Sequence, residues 1–147
     1  KAYLFLGKSG TGKSTHCNLW LENFEKADLL NDDNPAIRVH SDGNIYVYGT
    51  PWSGKTPCYR ALRRLAGGFL RLEQAPFNEI GRLHPVKALA SVLSSCSTMV
   101  WDPSYKKICD TVTQVVSRIP VFYLKNLPNN EAAQMSYSAL RPEDENN

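Results

Sequence analysis

The chain has 147 residues, of which 42% are hydrophobic and 21% charged, which is ordinary for a globular domain and excludes a disordered or collagen-like chain. Its net charge of +3 is too small to indicate nucleic acid, and no apolar run reaches the roughly 18 residues of a membrane span. The four cysteines, Cys17, Cys58, Cys96 and Cys109, lack a C-x-x-C spacing, so we expect reduced thiols in a cytoplasmic protein.

A strand, a glycine-rich loop and a helix are predicted at the start of the chain. Ala2–Leu6 is continuous and apolar, which indicates a strand buried on both faces. The loop spans residues 7–12, and the helix is predicted over residues 13–26. Its apolar face is predicted to consist of Cys17, Trp20, Leu21 and Phe24, at i, i+3, i+4 and i+7. Because Lys1 stands directly before the strand, we expect further residues upstream in the natural protein.

The middle of the chain is predicted to be rich in strands. Residues 28–31 suggest a short second strand that ends in the turn-forming residues 32–35. Residues 37–40 and 45–48 alternate like strands, and the connecting Ser-Asp-Gly-Asn favours a hairpin. A further strand is predicted over residues 68–73.

The second half of the chain is predicted to be more helical. One helix begins near Pro85, and Asp102 followed by Pro103 predicts the start of a second, which Pro120 ends. A strand over residues 121–124 and a last helix from Asn130 to about Leu140 follow. We therefore expect a single mixed α/β domain over residues 1–140, and a polar, disordered tail over residues 141–147.

The loop carries the strongest chemical signal in the sequence. Residues 7–14, GKSGTGKS, fit the phosphate-loop pattern G-x-x-x-x-G-K-[ST], placed between a buried strand and a helix as that pattern requires. The glycines let backbone N–H groups wrap a phosphate, Lys13 adds a positive charge, and Ser14 can offer its hydroxyl to Mg²⁺. His16 follows the loop without motif support, and we expect it at the surface rather than in catalysis.

An acidic pair, Asp32 and Asp33, follows the predicted second strand. If that strand returns beside the first, the pair lies at the carboxyl edge of the sheet, near the loop. One carboxylate could then hold the metal ion, and the other could orient or deprotonate a hydroxyl. The alternative is that D-D-N-P is only a turn.

These motifs together resemble a known superfamily. The segment G-x-S-G-x-G-K-S at residues 7–14, with L-L-N-D-D shortly after, resembles the HPr kinase/phosphorylase family. The same loop is similar to that of ATP-dependent phosphoenolpyruvate carboxykinase, which is regarded as sharing the nucleotide-binding core. The arginine–glycine signature E-x-R-G-x-G of true HPr kinases is poorly matched, since residues 64–68 are RLAGG.

A second loop, residues 49–55, also resembles a loop of short HPr-kinase-like domains. By this resemblance Lys55 is a second candidate for contacting phosphate, whereas the alternative is a structural turn packed by Trp52. The resemblance implies that ATP is bound with Mg²⁺ or Mn²⁺. The residues expected to contact the nucleotide are Gly7, Ser9, Gly10, Thr11, Gly12, Lys13, Ser14, Thr15 and Lys55. Those expected to hold the metal are Ser14, Asp32 and Asp33, and Lys13 with the two Asp residues forms the expected catalytic set.

The expected function is an ATP-dependent kinase that transfers the γ-phosphate to a hydroxyl acceptor, on a protein or peptide serine or on a small molecule. One alternative is carboxykinase-type chemistry on oxaloacetate. Another is a nucleotide-binding regulatory module with little turnover, in which the Asp pair is merely a turn. Neither nucleic acid nor membrane is an expected partner. Related kinases assemble, so the resemblance is compatible with a homo-oligomer.

Overall fold

The sheet is organised by its longest strand, β4, which pairs with three others. The computed structural model describes residues 1–52, 54 and 57–142, and over these the chain forms a mixed α/β domain. In chain order its elements are β1 (Ala2–Leu6), α1 (Lys13–Asn23), β2 (Ala36–Val39), β3 (Ile45–Tyr48), β4 (Arg63–Gln74), β5 (Glu79–Arg82), α2 (Pro85–Ser94), α3 (Tyr105–Arg118), β6 (Val121–Asn126) and α4 (Asn130–Leu140).

The strand β4 pairs with β1 and with β6, and both pairings are parallel. Residues 69–71 of β4 have partners in both strands, so β1 and β6 lie on opposite edges of β4. The first residues of β4 pair antiparallel with β3, which continues into β2, while β5 pairs antiparallel with β6. The carboxyl ends of β1, β4 and β6 therefore meet at one edge of the sheet, where α/β folds commonly bind ligands.

Two apolar clusters cover the two faces of the sheet. Phe69 belongs to a cluster with residues of α2 and α3, whereas its neighbour Leu70 belongs to a cluster with residues of α1 and α4. Successive side chains of a strand point to opposite faces, so the sheet is sandwiched between these two pairs of helices. Of the described helices, none is long and apolar enough to cross a membrane.

Most of the predicted elements are confirmed. The first strand, the hairpin of β2 and β3, the strand β6 and the last helix appear within two residues of their predicted bounds. The strand predicted over residues 68–73 is longer and begins at Arg63. The helix α1 ends at Asn23 rather than at residue 26. Of the predicted polar tail, residues 143–147 lie outside the described residues, and the Arg141 guanidinium lies over the Tyr137 ring.

One predicted strand and one predicted helix start were wrong. Residues 28–31 form no strand, because their carbonyls are bonded by side chains instead of a neighbouring strand: Arg60 Nη1 donates to Leu29 O at 2.9 Å and Cys58 Sγ to Leu30 O at 3.5 Å. The helix α3 begins at Tyr105, since the Asp102 carboxylate accepts from the backbone N–H of Ser104 in a turn before the helix.

The buried face of α1 also differs from the prediction. His16 is 1% exposed, so its expected surface position was wrong, whereas Leu21 is 39% exposed. The buried ring has a polar partner: Ser136 Oγ of α4 lies 2.8 Å from His16 Nε2, and the same hydroxyl accepts from Trp20 Nε1 at 2.9 Å. A polar pair on α1 and one serine on α4 therefore join the two helices inside the second apolar cluster.

This contact predicts a measurable loss of stability in Ser136→Ala. Removing the buried hydroxyl leaves the ring N–H of Trp20 and the Nε2 of His16 without their partner, which should lower the free energy of unfolding by about 2 kcal/mol or more. Urea denaturation followed by tryptophan fluorescence measures the change. The matched control is Ser117→Ala on the exposed side of α3, which should stay within about 0.5 kcal/mol of the parent. Equal losses in the two variants would contradict the assignment.

Candidate functional site

The glycine-rich loop connects the carboxyl end of β1 to the first turn of α1. Gly10 and Gly12 have φ angles of 84° and 96°, which lie in the left-handed region that other residues adopt with strain. A Cβ at either position would meet no atom within 4 Å, so the backbone conformation and not crowding favours glycine there. The two glycines therefore shape the path of the loop rather than its packing.

The Lys13 side chain folds back over this loop. Its Nζ donates to the carbonyl oxygens of Gly7 at 2.7 Å and Lys8 at 3.1 Å. Thr11 Oγ1 donates to the same Lys8 oxygen at 2.8 Å, and Gln74 Nε2, at the end of β4, donates to Gly10 O at 3.1 Å. The ammonium group is thus held at the mouth of the loop, beside the start of α1, whose first turn has no acidic side chain. Positive charge and backbone N–H groups together favour an anion here.

The acidic pair lies in a loop that Asn31 organises. Asn31 Oδ1 accepts from the backbone N–H groups of Asp33 at 2.8 Å and Asn34 at 2.7 Å. Its Nδ2 donates to Trp52 O at 2.9 Å, and Thr50 Oγ1 donates to Asn34 O at 2.6 Å. One side chain thus fixes the turn that carries the two carboxylates and attaches it to the second glycine-containing loop.

The second loop approaches the acidic pair closely at Gly54. A Cβ on Gly54 would lie 2.7 Å from Asp32 Oδ2, so a larger residue there would require the carboxylate to move. Trp52 is two-thirds exposed, which is not what the alternative of a loop packed by this side chain would give. Thr50 is buried there instead. Lys55, the second candidate for a phosphate contact, lies outside the described residues.

The Cys17 thiol of α1 is affected by the acidic pair. Burial, and after it the negative charge of Asp32, raises the pKa of this thiol to about 11. Cys17 lies one helical turn after Lys13 and therefore on the same face of α1. Cys17 and Asp32 also border the same cavity.

The predicted catalytic residues border one extended cavity of about 1430 Å³. Lys13, Ser14, Asp32 and Asp33 all line it. Other members of the predicted nucleotide-contacting set, Thr11, Gly12 and Thr15, line a smaller cavity of about 250 Å³. Gly7, Ser9 and Gly10 line neither of the two cavities. The predicted site residues are therefore distributed over two cavities and the loop itself.

The predicted metal ligands are two carboxylates and one hydroxyl on this cavity wall. Mg²⁺ in proteins commonly takes one or two carboxylates together with substrate phosphates and water, so Ser14, Asp32 and Asp33 are a suitable donor set for it. Among the described residues there is no cluster of three or more His, Cys, Asp or Glu side chains that could hold a metal ion.

Two positioning residues were missed by the sequence reasoning. Asn31 precedes D-D-N, and an Asn whose side chain bonds the backbone two residues on is a known turn signature that could have identified it. Gln74 gave no local signal, because its contact with the loop depends on how β4 and β1 are paired.

Comparisons with family models, curated proteins and solved structures gave no match to this chain.

The turn predicts a local effect of Asn31→Ala. Without the side-chain oxygen, the amides of Asp33 and Asn34 lose their acceptor, and their hydrogen exchange should accelerate about tenfold or more. Exchange measured by NMR tests this, with the exposed Asn18→Ala on α1 as control. Unchanged exchange at Asp33 and Asn34 would show that Asn31 does not hold the turn.

Proposed function

We propose that the protein is an ATP- and Mg²⁺-dependent kinase that transfers the γ-phosphate to a hydroxyl acceptor. The observation that carries the proposal is the glycine-rich loop: the Lys13 ammonium lies on the carbonyl oxygens of Gly7 and Lys8 at the start of α1. Ser14, Asp32 and Asp33 border the same large cavity as Lys13. Phosphoryl transfer needs little covalent chemistry from a protein and depends on positioning and charge neutralisation. These four side chains are the groups that such catalysis uses.

The loop would bind the phosphates of ATP. The Lys13 ammonium already lies at the loop mouth on two carbonyl oxygens, and it can exchange these for phosphate oxygens by a short movement. A charge-assisted contact to phosphate is stronger than one to a neutral carbonyl, which favours that exchange. Lys13 and the N–H groups at the start of α1 would then neutralise the charge that develops on the transferred group.

The acidic pair would act on the acceptor side. Ser14 and one of the two carboxylates would hold Mg²⁺, which when bound bridges the phosphates and neutralises their charge. The other carboxylate would accept a hydrogen bond from the acceptor hydroxyl and take its proton. The acceptor belongs to one of two classes, a protein or peptide serine and a small molecule.

A second candidate function is a nucleotide-binding module with little turnover. The hydrogen bonds that the backbone amides of Asp33 and Asn34 donate to Asn31 Oδ1 favour it, because they account for the sequence N-D-D-N as a turn without any catalytic role. A kinase needs at least one of the two carboxylates for turnover, whereas the binding module needs neither. Both functions need Lys13 to bind the nucleotide.

Lys13→Ala should weaken ATP binding about tenfold or more and abolish turnover, because it removes the positive charge at the loop mouth. Calorimetry with Mg·ATP measures the binding, and release of phosphate to water measures turnover without an identified acceptor. The matched control is Lys87→Ala, an exposed lysine on α2, which should leave both unchanged. Retained turnover in Lys13→Ala would overturn the proposal.

Asp32→Asn and Asp33→Asn separate the two candidate functions. For a kinase we expect at least one of them to lower turnover about a hundredfold, with binding of metal-free ATP within a few fold of the parent. Asp110→Asn, on the exposed side of α3, is the control for the loss of one negative charge. If both variants keep the parent's low rate, the regulatory module is the better description.

A further inference from the structure

The β2–β3 hairpin and the start of β4 form one end of the sheet, which has apolar packing on one face only. Ile45 and Val47 of β3 are buried in the first apolar cluster, which contains residues of α2 and α3. The second cluster, with residues of α1 and α4, includes no residue of β2 or β3. Because successive side chains of a strand alternate between faces, Tyr46 and Tyr48 lie on the opposite face, outside both clusters.

The strand register adds basic residues to this opposite face. Residues that lie directly opposite each other in an antiparallel pair share a face, and Arg38 of β2 lies opposite Tyr46 while Arg63 of β4 lies opposite Tyr48. His40 follows Arg38 by two residues and therefore lies on the same face. We name these five residues, Arg38, His40, Tyr46, Tyr48 and Arg63, the aromatic-basic face. Its two arginines are exposed, and its three rings are half-buried.

Contacts within the aromatic-basic face hold its rings in place. Arg63 Cζ lies 4.3 Å from the centre of the Tyr46 ring, and the His40 ring meets the same ring edge-on with 4.7 Å between the ring centres. The Tyr48 hydroxyl lies 2.7 Å from His40 Nε2 and accepts from Arg63 Nη1 at 3.4 Å. The rings and one guanidinium group are therefore already ordered, which lowers the entropic cost of binding a partner on them.

Positive charge exceeds negative charge around this face. In the described part of the chain, neither Arg38 nor Arg63 forms an ion pair. A third guanidinium group adjoins them, since Arg118 Nη1 donates at 2.8 Å to a carbonyl oxygen of the hairpin turn. The carboxylate of that turn, Asp42, accepts hydrogen bonds from within the turn. Exposed arginines that have no carboxylate in an ion pair favour a partner with several negative charges.

We infer that the aromatic-basic face binds single-stranded nucleic acid, with unpaired bases stacked on its rings and on the Arg63 guanidinium, and with phosphates contacted by Arg38 and Arg63. Aromatic rings and guanidinium planes stack bases of any sequence, while basic side chains follow the backbone. Because β2 and β4 lie about 10 Å apart across β3, the two arginines can contact different phosphates of one strand. A duplex hides the faces of its bases, and an acidic peptide would use the arginines but not the rings.

This inference is independent of the proposed kinase activity, because none of the five residues lines either cavity. The net charge of +3 for the whole chain does not indicate such a partner, since it does not show where the charges lie. Only the strand register brings the arginines and the rings onto one face.

The first experiment measures binding of fluorescein-labelled strands of about ten nucleotides by fluorescence anisotropy on the same chain. The strands are oligothymidine, oligouridine, a DNA duplex of the same length and an abasic strand that keeps the phosphates but has no bases. We expect the two single strands with bases to bind about tenfold or more tightly than the abasic strand and the duplex, because only they offer free base faces.

The outcomes separate base stacking from attraction to negative charge. If the abasic strand binds as tightly as oligothymidine, the face attracts negative charge of any kind, an acidic peptide included, and the inference is overturned. It is also overturned if the duplex binds as tightly as the single strands, or if no strand binds. A preference between oligothymidine and oligouridine supports the inference and identifies DNA or RNA as the partner.

Arginine variants test the phosphate contacts. Arg38→Ala and Arg63→Ala should each reduce the slope of log affinity against log salt concentration by about 0.7, because each removes one phosphate contact. The matched control is Arg82→Ala, an exposed arginine of β5, which should keep the slope of the parent. If all three variants keep that slope, the arginines do not contact phosphate and the inference is overturned.

A pair of variants at Tyr46 tests the stacking. Tyr46→Phe keeps the ring and should keep the affinity of the parent for oligothymidine. Tyr46→Leu removes the flat face on which a base stacks and should lower that affinity about tenfold, with the affinity for the abasic strand unchanged. Equal affinities of the two variants for oligothymidine would overturn the inference. Arg38→Ala tests the same face without a change to the ring contacts, should Tyr46→Leu fail to fold.

Discussion

The double pairing of residues 69–71 in β4 is the constraint on which the site depends. Because these residues bond to β1 on one edge and to β6 on the other, three parallel strands end at the same edge of the sheet. The loop leaves β1 at that edge, Gln74 at the end of β4 braces it, and Asn126 ends β6 beside it. The same two neighbours, Phe69 and Leu70, anchor the apolar clusters on the two faces. The pairing of residues 69–71 with both β1 and β6 therefore determines the layering of the fold and the position of the candidate site.

The local sequence pattern was enough to predict those elements whose apolar residues or motif match the geometry of a strand, a hairpin or a loop before a helix. Alternation identified the β2–β3 hairpin, and the phosphate-loop pattern located both the end of β1 and the start of α1. It failed at residues 28–31, where an apolar pair suggested a strand but the carbonyls are bonded by Cys58 and Arg60 from a distant segment. It also failed for β5, a short outer strand that has one pairing partner, β6, in the described sheet. What the sequence could not provide was the identity of long-range partners.

The candidate site shows the same division between local and distant information. The pattern of the sequence identified Lys13, Ser14 and the acidic pair as candidate catalytic groups. The turn that carries the acidic pair is held by Asn31, whose side chain bonds both the turn and Trp52 O in the second loop. His16 was misplaced because its type suggests a surface position on α1. Its burial requires Ser136, which is far along the chain, and no pattern around His16 reports that partner. The smaller cavity, which His16 lines, could therefore be recognised only from the fold.

The two sides of α1 line different cavities. Lys13, Ser14 and Cys17 line the large cavity, whereas Thr15, His16 and Leu19 line the smaller one, and at 100° per residue these two sets lie on opposite sides of the helix. Asp32 and Asp33 border the cavity that Lys13 and Ser14 line, and not the smaller one. For the proposed kinase, the acceptor hydroxyl would therefore approach from the large cavity, because the charged groups that phosphoryl transfer needs all border it.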